Sequence, residues 1–332
     1  MPDQAVGGPE NLGLHRFAVL TAFSTAFLIF AGGLVTSTDS GLSVPDWPLS
    51  YGRLFPRMVG GIFYEHGHRM VATFVGFLTV ILAVWAWRRE TRRRVRWLAV
   101  GALGAVIAQG ILGGITVLFF LPTPVSVAHA LLAQTFFCLV VSIALFTSPD
   151  WKRGLPVAGV RHGRPSLPML AGLTTGAIYL QLLLGALMRH TDSGLAIPDF
   201  PLAFGRVIPA FESAQIGIHF AHRVGALLVT TMVVWTLARI ATTYRQHHRL
   251  FRPALLLAAL VTAQITLGAF TVWTGVALNQ ELSYYEQPLM NHVVIITTLH
   301  VVTGATILAV SLLLTLRSFA MVSPVRADVQ PV

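Results

Sequence analysis

Eight stretches of about twenty apolar residues run through this chain, and no other feature limits its fold as severely. A bilayer core about 30 Å thick is crossed by about 20 residues of α-helix. Inside it every backbone N–H and C=O must be satisfied within the protein, which leaves helices or closed barrels. The runs cover 17–35, 66–87, 97–118, 125–146, 167–188, 216–240, 253–274 and 291–316. Only 11% of the 332 residues are charged, against roughly 25% in soluble domains. The expectation is an all-α integral membrane protein with eight transmembrane helices.

The net charge is +10, supplied almost wholly by arginine; Lys152 is the sole lysine. Of the 23 basic residues, 17 lie in the N-terminus, the 88–96 loop, the 148–166 linker, the 239–252 loop and the C-terminus. Only Arg53, Arg57, Arg69, Arg189, Arg206 and Arg223 lie in the opposite set. The positive-inside rule then makes both termini cytoplasmic in a multi-pass protein of the cell membrane. Arginines confined between apolar runs are a membrane pattern rather than a nucleic-acid footprint. The acids Asp39, Asp46, Glu65, Asp192, Asp199, Glu212, Glu281 and Glu286 gather on the outer side. Cys138 is the lone cysteine, which excludes an intramolecular disulfide and cysteine-built metal centres. The first 16 residues are polar, so the first apolar run is expected to act as an uncleaved signal-anchor.

The chain repeats itself. Asp39-Ser-Gly-Leu-Ser-Val-Pro-Asp-Trp-Pro-Leu-Ser-Tyr-Gly-Arg53 recurs as Asp192-Ser-Gly-Leu-Ala-Ile-Pro-Asp-Phe-Pro-Leu-Ala-Phe-Gly-Arg206, identical at ten of fifteen positions with an offset of 153. Pro56 matches Pro209; His68-Arg69 matches His222-Arg223 at 154; Gln109 and Gly113 match Gln264 and Gly268 at 155. Each half has an even number of spans, so both enter from the same side: a parallel repeat about a pseudo-two-fold axis along the membrane normal. The organisation expected is a four-helix half at 1–147, a cytoplasmic linker at 148–166 and a second four-helix half at 167–332. The repeated loop, rich in turn residues, reads as a rigid lid over each bundle. A functional version of that lid has Trp47 and Phe200 closing the pockets.

Ionisable groups within a membrane are costly and point to function. Glu65 and His68 share a helix face, as do His219 and His222; His129 and His300 lie on the fourth helix of each half. Two imidazoles on facing helices can grip a haem iron in an apolar slot. Helix-packing hydrogen bonds are the competing role for the histidines. Arg69 and Arg223 suit haem propionates, or snorkel to the interface as helix-end anchors. His66 and His292 read as interfacial, and His162, His247 and His248 as solvated. Gly110, Gly113 and Gly114 read as close-packing residues. The halves differ where Glu65 is replaced by His219: a carboxylate three residues from an iron ligand can move protons. That suggests one catalytic pocket and one cofactor pocket.

With Glu65-x-x-His68-Arg69, the Gly41-Leu-x-x-x-Asp46-Trp-Pro-Leu49 loop and four histidines in a duplicated bundle, the chain resembles the haem A synthase family over nearly its whole length. The resemblance implies that His68 and His129 frame the substrate haem O, with Glu65 as catalytic carboxylate, and that His222 and His300 hold haem b. His300 is preferred to His292 on depth. It implies an oxidoreductase that converts the C8 methyl of haem O to the formyl of haem A by successive hydroxylation and loss of water. Haem b passes electrons out of the substrate site or into it. An electron donor is implied, with haem O synthase, oxidase assembly factors and a homo-oligomer as further partners, and haem–copper oxidases as the destination. Many bacterial members carry a cysteine pair in the first outer loop; Val44 to Ser50 has none, which excludes a thiol role there. Two other readings explain parts of the pattern. A di-haem b electron carrier accounts for the histidines but not for Glu65. A haem-handling transporter or chaperone lacks the short, interrupted mid-membrane spans such proteins use.

Overall fold

The computed structural model describes residues 12–156, 158, 165–281 and 292–322, with the main chain only at 276–281. Its helices are α1 (Leu12–Ser37), α2 (Gly61–Arg89), α3 (Arg93–Leu118), α4 (Thr123–Thr147), α5 (Pro149–Lys152), α6 (Leu167–His190), α7 (Ala214–Thr243), α8 (His248–Glu281) and α9 (His292–Met321). All but α5 are long and apolar enough to cross a membrane, as the eight apolar runs foretold.

The helices extend past the apolar windows. α2 begins at Gly61, about a turn before the expected 66, so Glu65 and His66 lie within it. α8 begins at His248 and carries Pro253 inside it, where the window put the start. Hydropathy marks the lipid-crossing part of a helix, whereas its hydrogen-bond ladder continues into polar surroundings. The expected start of the last span at 291, the linker residues Arg161, His162 and Arg164, and Glu286 and Arg326 lie outside the described residues. In the linker, α5 is a single turn capped by Ser148, whose Oγ accepts from the Trp151 amide at 3.3 Å.

Helices α1–α4 pack in a ring, α1 on α2, α2 on α3, α3 on α4 and α4 on α1; α6–α9 repeat that ring in the same order. Between the rings α1 touches α9, α4 touches α6 and α4 touches α9. With α1 equivalent to α6 and α4 to α9, this is the contact pattern a two-fold relation between halves produces. Ile29, Phe137, Val141, Ala305 and Ala309 fill the seam between the rings.

Each ring has its own apolar core, and both are densest towards the end carrying the basic loops. The first joins Leu14 and Ala18 with Leu82, Ala86, Ala99, Ala102, Val140 and Ile143. The second joins Val233, Ile240, Leu250, Ala254, Leu257 and Leu314. Lipid gives helices no hydrophobic reason to associate, so close van der Waals packing through small residues does the work, and alanines are frequent in the first core. Short polar links add to it: Thr174 Oγ1 to Thr236 Oγ1 at 3.0 Å within a half, and Thr135 Oγ1 to Tyr179 Oη at 2.8 Å across the seam. Few of these core side chains lie towards the opposite end, beneath the repeated loops.

Candidate functional site

The two repeated loops adopt one conformation. In each a tight turn is closed by paired backbone hydrogen bonds, Ser50 with Arg53 and Ala203 with Arg206. The central residues have positive φ, 54° and 68° at Tyr51-Gly52 and 55° and 71° at Phe204-Gly205. Glycine takes that conformation freely, but Tyr51 and Phe204 do not. An aspartate holds each turn: Asp46 accepts from Tyr51 N at 2.6 Å and Gly52 N at 2.8 Å, and Asp199 accepts from Phe204 N at 2.7 Å and Gly205 N at 2.8 Å. The Gly52 amide above all, outweighing partial desolvation and aided by the Tyr51 amide and Arg69, holds the Asp46 carboxyl below its usual range. The Gly205 and Phe204 amides and Arg223 do the same for Asp199.

Arg69 and Arg223 turn into these loops. Arg69 Nη1 donates to Asp46 O at 2.7 Å and Leu49 O at 2.8 Å, and Nη2 to Val44 O at 3.3 Å and Glu65 Oε1 at 2.5 Å. Arg223 donates to Leu202 O at 2.8 Å, Ile197 O at 3.1 Å and His219 Nε2 at 3.1 Å, and lies over the Phe200 ring. Both guanidiniums staple loop to helix instead of reaching along the surface. Glu65 is the one acid among the described residues within the eight spans. Its other oxygen accepts from the Val44 amide at 2.7 Å. In the second half the Ile197 amide lies 3.2 Å from His219 Nδ1, but a neutral ring that accepts from Arg223 at Nε2 carries its proton on Nδ1, so it replaces only one of the carboxylate's two hydrogen bonds. His66, expected at the interface, is buried and bonded to Ser50 Oγ at 2.8 Å, because α2 starts early enough to bring it under the loop.

Four further histidines share one setting. Each ring lies against a glycine of the preceding helix, where a Cβ would stand 3.1 or 3.2 Å from its Cε1: His68 at Gly32, His129 at Gly113, His222 at Gly185 and His300 at Gly268. Nδ1 is the next nearest ring atom in every case. In His68, His129 and His300, Nδ1 is sealed within the helix interface and the ring faces the backbone of Leu28, Gln109 and Gln264 respectively, one turn before the glycine, yet each residue as a whole is only half-buried. The accessible part of each is therefore not Nδ1. His68 and His129 lie close enough for their charges to interact, and so do His222 and His300.

The structure thus groups Glu65, Arg69, Val44 and Asp46 under the first loop, and seats the histidines in matched notches. Trp47 lies on α3 at Gly114, where a Cβ would stand 2.7 Å from Cδ2, next to the Gly113 notch of His129. Phe200 packs edge-on against Trp273 of α8. His292 is exposed at the start of α9 and joins no group. Gly113 and Gly114 make room for a ring each, where close helix packing was expected; Gly110 has nothing beside it. Sequence reasoning missed Gly32 and Gly185, although their spacing of 153 carries the repeat signal. It also missed His190 at the end of α6, whose charge reaches His129 and which stands where the first half has Ser37.

Among the described residues no three His, Cys, Asp or Glu side chains converge as a cage for a bare ion. Paired imidazoles suit an iron whose remaining ligands come from its own macrocycle. The glycine notches fit such a group, because each fixes the ring with its Cε1–Nδ1 edge against the neighbouring helix.

A model of the cytochrome oxidase assembly protein family COX15-CtaA matches residues 15–59 and 58–284. The chain is 33% identical over 279 residues to a haem A synthase of Halalkalibacterium halodurans, covering 79% of this chain and 89% of that one. It is 34% identical over 263 residues to a haem A synthase of Symbiobacterium thermophilum, covering 74% and 82%. A third, of Shouchella clausii, is 30% identical over 268 residues, covering 79% and 87%.

Proposed function

The chain belongs to the haem A synthase family of cytochrome oxidase assembly proteins, and from that membership we propose that it oxidises the C8 methyl of haem O to the formyl of haem A. The observation that carries the assignment of residues is the set of four glycine-seated histidines, paired half by half, with one acid beside only one pair.

In this reading His68 and His129 hold the substrate haem O, and His222 and His300 hold a resident haem b. Each ring presents Nε2 to the pocket because its Nδ1 edge lies in the notch. A histidine ligand oriented through its second nitrogen is the usual arrangement. Haem b supplies electron exchange with the substrate site. Glu65 serves as proton acceptor for the stepwise passage of methyl to alcohol, to geminal diol and, with loss of water, to formyl. It is held at the pocket's mouth by the Val44 amide and Arg69, so the loop motif sets its position. With Arg69 and Arg223 bonded to loop carbonyls, their part is to keep the lids shaped; Trp47 and Phe200 close the pockets from above. The sites lie at the end bearing the repeated loops, on the outer side of the membrane, with the basic loops in the cytoplasm. The product is destined for terminal oxidases. With water as the oxygen source, each oxidation releases two electrons to an external acceptor and two protons; with dioxygen as the source, an electron donor is needed instead.

Pigment analysis of the purified full chain tests this, with Glu65→Gln as the deciding variant. The expected result is histidine-ligated haem in the wild type, and a variant that keeps haem b but forms no formyl product from haem O. Full turnover by Glu65→Gln would leave Glu65 without a catalytic role, and a preparation with no Soret band would remove haem altogether.

A further inference from the structure

The halves differ in what they present to the membrane just inward of their first histidine. Between α1 and α2 lies a groove of about 500 Å³, open on the lipid side and lined by Phe23, Ser24, Phe27, Met70, Val71 and Phe74. That size is within the range of small-molecule sites, about 300–1,000 Å³. Ser24 is the one polar side chain in the lining. The groove continues the seat of His68: Phe27 is five residues inward of Gly32, and Val71 is one turn inward of His68 on the same face of α2. At the matching places of the second half, α6 and α7 carry Gly176, Leu180, Val224 and Leu228 for Phe23, Phe27, Met70 and Phe74. None of these is a ring, and a Cβ at Gly176 would meet nothing within 4 Å. Facing lipid calls for nothing more than leucine. Aromatic walls have few rotatable bonds, so they hold a groove open where leucines would fold into it.

We infer that this groove holds the isoprenoid chain of haem O and thereby selects which ring methyl is oxidised. This rests on the reading that His68 and His129 hold haem O. Haem O differs from haem b in a single substituent, a long isoprenoid alcohol at C2 in place of a vinyl group. A macrocycle whose propionates stay at the aqueous mouth sends its opposite edge, with that chain, towards the membrane interior, where the groove lies. A half-turn about the axis that keeps the propionates at the mouth gives a second orientation on the same axial ligands. One orientation presents the C8 methyl to Glu65, the other the C5 methyl. Nothing in a pair of imidazoles distinguishes the two. The chain leaves the macrocycle on one side only, so a groove on the α1–α2 side admits a single orientation. Haem b has no such chain to place, and the second half has no rings to place it against.

The test is spectral titration of the full chain, purified with its resident haem b, with haem O and with additional haem b, followed by product analysis. Phe27→Ala with Phe74→Ala removes two walls of the groove. The expected result is an affinity for haem O lower by about tenfold or more, an unchanged affinity for added haem b, and formyl product divided between C8 and C5. If that variant does not fold, Ser24→Leu, which fills the groove, is measured instead with the same expectation. Unchanged affinity for haem O, which would leave the groove to membrane acyl chains, overturns the inference, and so does an equal loss for haem O and haem b. Formyl product at C8 alone overturns the selection of the methyl. The haem-site reading fails separately, if His68→Ala binds haem O as the wild type does.

Discussion

The imidazole of His300 lies against Gly268 so closely that Cε1 would be 3.2 Å from a Cβ there, and His129 stands in the same relation to Gly113. That distance is below ordinary van der Waals contact between carbons. Gly268→Ala should push the His300 ring out of line, at an overpacking cost of about 1–3 kcal/mol. The expected outcome is loss or spin-state change of haem b in folded protein. Gly104→Ala, which meets nothing within 4 Å, is the control and should leave the spectrum unchanged.

Gly114 and Gly110 lie one helical turn apart on α3 and should respond differently. A methyl at 114 would fall 2.7 Å from Trp47 Cδ2, while one at 110 would enter open space. Gly114→Ala is therefore expected to lift the tip of the first loop and lower haem A formation at least tenfold, with haem b retained. Gly110→Ala should keep wild-type turnover. Equal activity in both variants would mean that Trp47 does not close the substrate pocket.

Arg69→Ala removes the staple from Asp46, Leu49 and Val44 and leaves Glu65 buried without its cation. Breaking a buried pair from one side costs about 3–5 kcal/mol. Arg223→Ala should cost less, because its partner His219 is a ring that can stay neutral. Thermal unfolding in detergent checks the order; a milder effect for Arg69→Ala would contradict it.

Glu90, just past the end of α2, gives a pH prediction. Burial pushes its carboxyl up, but the Arg92 side chain and amide, with Lys152, more than offset this and hold it below its ordinary value of 4.5. A depressed acid contributes stability that is present above its ordinary pKa and is lost as pH falls through the folded value. Asp46 and Asp199 act in the same direction. Wild-type melting temperature should fall steeply below about pH 4.5, and Glu90→Gln should lower it at neutral pH and flatten that acid limb. The bond from Arg92 Nη2 to Phe146 O at 2.8 Å explains why, since Glu90 orients the arginine that ties α2 to the end of α4. Identical melting curves at pH 7 would refute the role.

Much of the site was legible before any coordinates. The histidines on α2, α4, α7 and α9 stood out because an ionisable group in an apolar run has no cheap explanation. Glu65 stood out because its repeat partner is His219. The destination of Arg69 was not legible: a cation at a helix end fits a propionate, the interface or a loop equally well until the loop's carbonyls are placed. Nor was the burial of His66, which depends on how far α2 runs beyond its apolar window.

The residue pattern by itself determined the eight helices and their duplication, and supplied the charge asymmetry from which sidedness is argued. These follow from local hydropathy, charge and repetition, which need no knowledge of neighbours. Tertiary structure decided which helix each histidine leans on, which glycines serve as seats, and that rings of α1 and α2 wall one groove. Such contacts join residues tens of positions apart, and close packing turns the absence of a single methyl group into the feature that fixes a ring.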